Sequence, residues 1–406
     1  MTTPSRRDVL KLAAAGLSSA AFARADEKSK SKSVAAVVTI YTPKSHADVI
    51  LTKILQGWKN DGGAGPALTL AALYVDQFPK TDIARDMCKK HGVPIFDSIE
   101  KAVTVGGKAI PVDGVLSIGE HGDYPTNKIG QKLYPRKRFF EEITDTFEKF
   151  GKVVPVFSDK HLGPPWDEAK WMYDRAVKLK VPFMAGSSLP VSYRTKELDI
   201  PMGSDIEAAV GIGYSSLDIY GFHALECYQS LVERRAKAEA GVKWVRGLEG
   251  KDVWKAVDDG LVNKDVLDAA WEVVPKADKT KGLRDEEKPV LFLFEYADGF
   301  RGAQFMLPNA QLSGVGVKLK GEKPKATAFE ERAEPFYPHF AFLLKAIEQM
   351  IHTSKPTYPI ERTLLTSGIL DRALTSKADG GKKLDTPELA IKYTPVDYPH
   401  APKPEL

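Results

Sequence analysis

The chain is poor in the residues that most often announce a function. It has two cysteines and eight histidines, and no glycine lies between Ser33 and Gly57. Two distant thiols, Cys88 and Cys227, make no disulfide framework. Past the N-terminus, no apolar run reaches membrane-spanning length. An excess of one charge is also missing: 58 basic residues face 54 acidic ones, for a net charge of +4. The basic residues are scattered rather than striped, which excludes a nucleic-acid surface. No internal repeat is present. With 43% hydrophobic and 28% charged residues, the composition is that of an ordinary globular protein. Its 406 residues suit two domains better than one.

The first 25 residues read as a signal rather than as structure. Ser5-Arg6-Arg7-Asp8-Val9-Leu10-Lys11 has the form of a twin-arginine export motif. A short apolar run, Leu12 to Phe22, follows it. Small residues at Ala21 and Ala23, or at Ala23 and Ala25, offer cleavage sites. The expectation is a periplasmic or otherwise exported protein that meets the twin-arginine export machinery. That route carries folded chains, which suits a cofactor or metal loaded before export.

Residues 26–33 form a polar linker. From residue 34 to 186, apolar strands alternate with helical stretches. Strands are expected at 34–41, 68–75, 114–118, 153–157 and 182–185, and helices at 46–58, 81–91, 139–150 and 166–178. That alternation predicts an α/β fold with a Rossmann-like doubly wound parallel sheet, whose functional crevice lies at the carboxyl ends of its strands. From 187 to 391 the pattern changes to an α+β domain with an open, mostly antiparallel sheet. Here strands are expected at 206–213, 289–296 and 304–307. Helices are expected at 223–237, 252–274, 340–352 and 362–375. Residues 392–406 form a proline-rich tail.

Several segments, in order, resemble one family. Leu73-Tyr74-Val75-Asp76 ends a strand on an acid. Asp113-Gly114-Val115-Leu116-Ser117-Ile118 is a buried strand. Gly151 to Leu162 contains Asp159-Lys160-His161. Leu217-Asp218-Ile219-Tyr220-Gly221-Phe222-His223 leads into a helix. Together they resemble the glucose–fructose oxidoreductase / inositol dehydrogenase (Gfo/Idh/MocA) family. The resemblance implies NAD(P)-linked chemistry on sugars or cyclitols, with Lys160 as proton donor or orienting cation and His223 as general acid/base. It gives Asp218 the part of orienting His223 and Asp76 that of binding the cofactor ribose. It also implies a homo-oligomer, because such open sheets pair face to face.

The chain departs from this family at the phosphate-binding turn. A dinucleotide fingerprint needs Gly-x-Gly-x-x-Gly after the first strand. With His46-Ala47 in register, Val38, Ile40 and Pro43 occupy the three glycine places. Two strand ends depart as well. One carries Glu120-His121 with Asp123 close behind, the other Asp159-Lys160-His161. His46 follows the first strand. Imidazoles and carboxylates on converging loops are ligands of a Zn- or Mn-type divalent metal, with Glu120, His121 and His161 as candidates.

Three readings follow. The leading one is an exported carbohydrate-active enzyme that uses no diffusible nicotinamide, with a metal or an acid/base pair carrying lyase, hydrolase or epimerase-type chemistry on a sugar. The second is an NAD(P)-dependent sugar or cyclitol oxidoreductase with tightly held cofactor. The third is a non-catalytic sugar-binding protein.

Overall fold

The structure, a computed structural model, describes residues 31–401. The arginine pair and the apolar run after it lie outside the described residues, as do the last five residues.

The first sheet has six strands in the order β3-β2-β1-β4-β5-β6. They are β1 (Lys32–Val38), β2 (Leu68–Val75), β3 (Ile95–Phe96), β4 (Gly114–Ile118), β5 (Val156–Asp159) and β6 (Phe183–Gly186), all pairing in parallel. The central strands are apolar without alternation because both faces are covered. Ala35 and Val37 of β1 point to the face packed by α4 (Arg136–Phe150) and α5 (Trp166–Leu179). Val34, Ala36 and Val38 point to the face packed by α1 (His46–Gln56). That second face is completed from the far end of the chain by α9 (His339–Thr353), whose Leu343, Ile347 and Ile351 join the same core. Strand β1 is flanked by β2 and β4, so the chain order reverses there and a crevice opens at the carboxyl ends of the strands. The remaining helices of this half are α2 (Ala84–His91) and α3 (Ile99–Val103).

The second sheet has eight strands, in the order β14-β9-β10-β11-β8-β12-β13-β7. They are β7 (Tyr193–Arg194), β8 (Ile206–Gly213), β9 (Val242–Glu249), β10 (Val290–Tyr296), β11 (Arg301–Met306), β12 (Ser313–Leu319), β13 (Lys325–Glu330) and β14 (Leu384–Asp385). All neighbours are antiparallel except β11 and β8. Side chains alternate between two faces. Phe292, Phe294, Val315 and Val317 pack on α6 (Ile219–Val232) and α10 (Ile360–Ala378). Leu291, Leu293, Phe305, Val210 and Ile212 face the other way, onto α7 (Lys251–Asp258) and α8 (Lys264–Val273). The outer face is therefore covered in part by the chain's own helices.

Three expectations change here. The stretch 242–249, between the helices expected at 223–237 and 252–274, is strand β9; its buried residues alternate too sparsely among Lys, Trp, Arg and Glu to stand out. The helix expected over 252–274 is two helices, broken where Gly260 takes a left-handed φ of 73°. Strands β12 and β13, rich in Gly, Lys and Ala, lie where no strand was expected. Their glycines have a packing cause. A Cβ on Gly316 would lie 2.6 Å from the Val266 carbonyl oxygen and 3.1 Å from a Val266 methyl. Only a bare backbone lets α8 approach this closely. Gly316→Val should therefore destabilise the protein by about 1–3 kcal/mol in urea denaturation. An unchanged midpoint would contradict this placement of α8 on the sheet.

Candidate active site

The loops after β1, β4 and β5 and the start of α6 converge on one cleft. Lys160 directly follows β5, and its backbone N–H donates to the Gly186 carbonyl (3.1 Å). His223 lies in the second turn of α6. Their side chains meet: Lys160 Nζ contacts His223 Nε2 although 63 residues separate them in sequence. An ammonium has donors only, so with Lys160 charged, Nε2 accepts and the proton sits on Nδ1. Nδ1–H then donates to Ser187 Oγ at 2.9 Å. The Ser187 backbone N–H in turn donates to the Glu226 carboxylate at 3.0 Å. His223 is thus oriented by the Ser187 hydroxyl, and Ser187 is itself anchored through its backbone on Glu226.

Burial sets the protonation of these groups. It drives the His223 imidazole well below its usual value, and the neighbouring Lys160 charge pushes the same way. Burial raises the Glu226 carboxyl to about 7, a value at which it exchanges protons near neutrality. Three other imidazoles surround the cleft. His46 Nδ1 pairs with Asp159 Oδ2 at 2.7 Å. His121 packs edge-on against His46, with ring centroids 5.3 Å apart. Burial lowers His121 to about 4 and His339 to about 3, and Nδ1 of each is buried without a partner. The cavity that these groups line with Lys160 and Tyr220 has a volume of ≈ 170 Å³. Lys44, His121 and Lys160 all take left-handed φ values, 66°, 66° and 70°. Such conformations cost energy in non-glycine residues and gather where a site holds them.

The metal expectation is corrected. Glu120 and His161 do face one another, but a guanidinium already lies between them, while the His121 ring packs on His46. Arg136, with no exposure, donates to Glu120 Oε2 at 2.6 Å and faces His161 Nε2 at 3.1 Å. A fixed cation holds both groups where a divalent ion was expected. Among the described residues, no group of three or more His, Cys, Asp or Glu side chains is arranged to hold a metal. Asp218 also sits elsewhere than expected. Its Oδ2 accepts the Lys132 backbone N–H (2.8 Å) and its Oδ1 is 3.8 Å from His161, so Ser187 rather than Asp218 meets the His223 ring. Burial raises the Asp218 carboxyl to about 6. Arg136 carries no local signal, because it lies in the polar stretch Pro135-Arg136-Lys137-Arg138. His339 and Ser187 carried no local motif either. Cys88 and Cys227 are both free and buried, and Cys227 directly follows Glu226 on α6.

The nicotinamide dinucleotide implied by the resemblance fits the first crevice poorly. The turn from β1 to α1 is filled with side chains: Thr39 and Tyr41 have no exposure and Ile40 has 9%. The first turn of α1, where a pyrophosphate would find free amides, holds the buried Asp48 instead. Its carboxylate accepts from the Lys44 backbone N–H (2.8 Å) and the Thr52 hydroxyl (2.7 Å). A second negative group there would be repelled.

No protein-family model matches the sequence, and no curated protein does. Solved structures do match. One is GenD2 from gentamicin A biosynthesis in complex with NAD, at 11% identity and a TM-score of 0.57, covering 89% of this chain and 98% of that one. Another is scyllo-inositol dehydrogenase from Lactobacillus casei, at 9% identity and a TM-score of 0.56, covering 88% and 98%. A third is myo-inositol 2-dehydrogenase from Lactobacillus plantarum, at 10% identity and a TM-score of 0.54, covering 88% and 99%. At these identities the likeness is one of fold, and it extends over both sheets. The chain has the two-domain fold of the glucose–fructose oxidoreductase / inositol dehydrogenase family.

Proposed function

We propose that the protein binds a sugar or cyclitol in the cleft between Lys160 and His223 and moves a proton to or from one of its hydroxyl groups there. The contact between Lys160 and His223, joined through Ser187 to Glu226, carries this reading. A neutral imidazole offers one donor and one acceptor, as a hydroxyl does. A wall of such groups suits a polyol better than a strongly charged ligand. The cavity volume of ≈ 170 Å³ falls below the roughly 300–1,000 Å³ of larger ligand sites, and suits one sugar ring. The likeness to inositol dehydrogenases favours a polyol as ligand over the substrate of a metal-dependent lyase or hydrolase.

In this mechanism Lys160 fixes the substrate hydroxyl and supplies positive charge as its oxygen gains electron density. His223 takes or returns the proton, with Ser187 holding its ring. Glu226 accepts the Ser187 backbone N–H and so fixes the serine that orients the ring. In the family, a nicotinamide supplies hydride transfer when bound; the side chains of the β1–α1 turn fit it poorly in this chain. An NAD(P)-dependent oxidoreductase is the second reading, favoured by the NAD in GenD2. Export by the twin-arginine route belongs to the proposal on the strength of Arg6 and Arg7 alone.

Calorimetric titration with myo-inositol, scyllo-inositol and a panel of hexoses tests the proposal. At least one should bind, and Lys160→Met or His223→Ala should weaken it about tenfold or more while circular dichroism stays unchanged. No binding across the panel, or binding indifferent to both substitutions, would sink the reading. The protonation argument has its own check. Burial penalises the charged imidazole, so His121, His161, His223 and His339 should stay neutral as pH falls from 7.5 to below 5.5. Nitrogen-detected NMR should show no titration of these four rings near 6.5; a midpoint there for His223 would contradict its buried, neutral state.

A further inference from the structure

The segment between β4 and α4 does something that neither sheet requires. It leaves the end of β4 and crosses the end of β1. Its far side is fastened to the end of β2, before it turns back to α4. In a doubly wound sheet, that path lies across the crevice where a dinucleotide would lie. Each crossing point is bonded. Thr39 Oγ1, just past β1, donates to the Glu120 carbonyl at 2.5 Å. Gln77, just past β2, makes two bonds to the Asp123 backbone: its Nε2 donates to the carbonyl and its Oε1 accepts the N–H, both at 2.9 Å. The Tyr124 hydroxyl then reaches Asp76 Oδ2 at 2.7 Å.

Asp76 is the residue that the resemblance assigns to the cofactor ribose. Its carboxylate is already committed. Besides Tyr124, it accepts from Arg138 Nη2 and, at 2.8 Å, from the Tyr74 hydroxyl. Three donors hold it ionised against a burial penalty, and its pKa falls below the usual carboxylate range. The crossing is also close-packed. Gly122, at φ 101°, lies so near that an added Cβ would be 2.8 Å from the Tyr124 ring, 3.1 Å from Gln77 Oε1 and 3.4 Å from Ile40. Its glycine is needed for this conformation and for this space.

We propose that residues 119–138 are the permanent occupant of the dinucleotide seat, with Asp76 acting as the clasp for Tyr124 and Arg138 instead of a ribose ligand. The chain's own segment fills the nucleotide half of the fold, while the cleft at Lys160 and His223 stays open. Two carboxylates, Asp48 at the pyrophosphate end and Asp76 at the ribose end, bracket the filled seat, and both are engaged by neighbours within the chain. This inference is separate from the polyol reading: either can fail while the other stands.

The test uses the full chain and NAD+ and NADP+ as probes. Acid release from freshly purified protein should yield no nucleotide, and millimolar NAD+ or NADP+ should give neither a calorimetric signal nor a rise in Tm. Asp76→Ala should speed amide hydrogen exchange across residues 119–135 by about tenfold or more, because the clasp is lost. Tyr124→Phe, which removes one hydroxyl and spares the fold, should give a smaller increase in the same segment. Stoichiometric NAD(P) in the wild type would overturn the proposal. So would unchanged exchange over 119–135 in both variants.

Discussion

The buried guanidinium of Arg136 fixes the site from which everything else is positioned. A charge with no exposure to water is costly unless it is paired. Here Glu120, after β4, and His161, after β5, supply the partners. The bonds tie the ends of two adjacent parallel strands to the start of α4. They also fix the backbone on either side. His121 and Lys160 adjoin these two partners, and both are held in left-handed conformations. Removing Arg136 would leave Glu120 buried with only the distant Lys160, 4.0 Å away. The same ion pair explains why a metal is not needed to gather these loops.

A division of labour follows across the crevice. On one side, Lys160, His223, Ser187 and Glu226 form a bonded set with acid and base capacities separated by burial. On the other, Thr39, Gln77, Asp76 and Tyr124 knit the strand ends together with bonds internal to the chain. Both halves draw on the residues that follow parallel strands, which is where this architecture exposes functional groups. What differs is commitment. In the first half polar atoms such as the His121 and His339 Nδ1 atoms lack partners. In the second, the carboxylates are saturated. Unpartnered donors and acceptors are costly in a core and useful in a site that receives a ligand.

Much of the architecture was legible in the sequence because it rests on period and on burial. Strands 68–75, 114–118 and 206–213 read directly, since their apolar runs are bounded by charged or turn residues. Strand β9 did not, because its Lys243, Trp244 and Arg246 hide a two-residue alternation behind polar side chains. For the site, Lys160 and His223 were legible through the ordered resemblance, and the structure brings them into contact. Glu120 and His161 meet across Arg136, and sequence alone could not tell a cation supplied by a metal from one supplied by that guanidinium. That distinction depends on helix α4 starting at residue 136 and aiming its first side chain inward. His339 was beyond reach for a similar reason. It arrives on α9, which crosses back from the second half of the chain to cover the first sheet.

The central claim is that a polyol is handled by the Lys160–His223 pair. A crystal structure with a bound cyclitol or hexose tests it most directly. The account predicts a substrate hydroxyl about 3 Å from both Lys160 Nζ and His223 Nε2. A ligand seated elsewhere, for example in the cavity beside Arg194 and Tyr398, with this pair untouched, would contradict it.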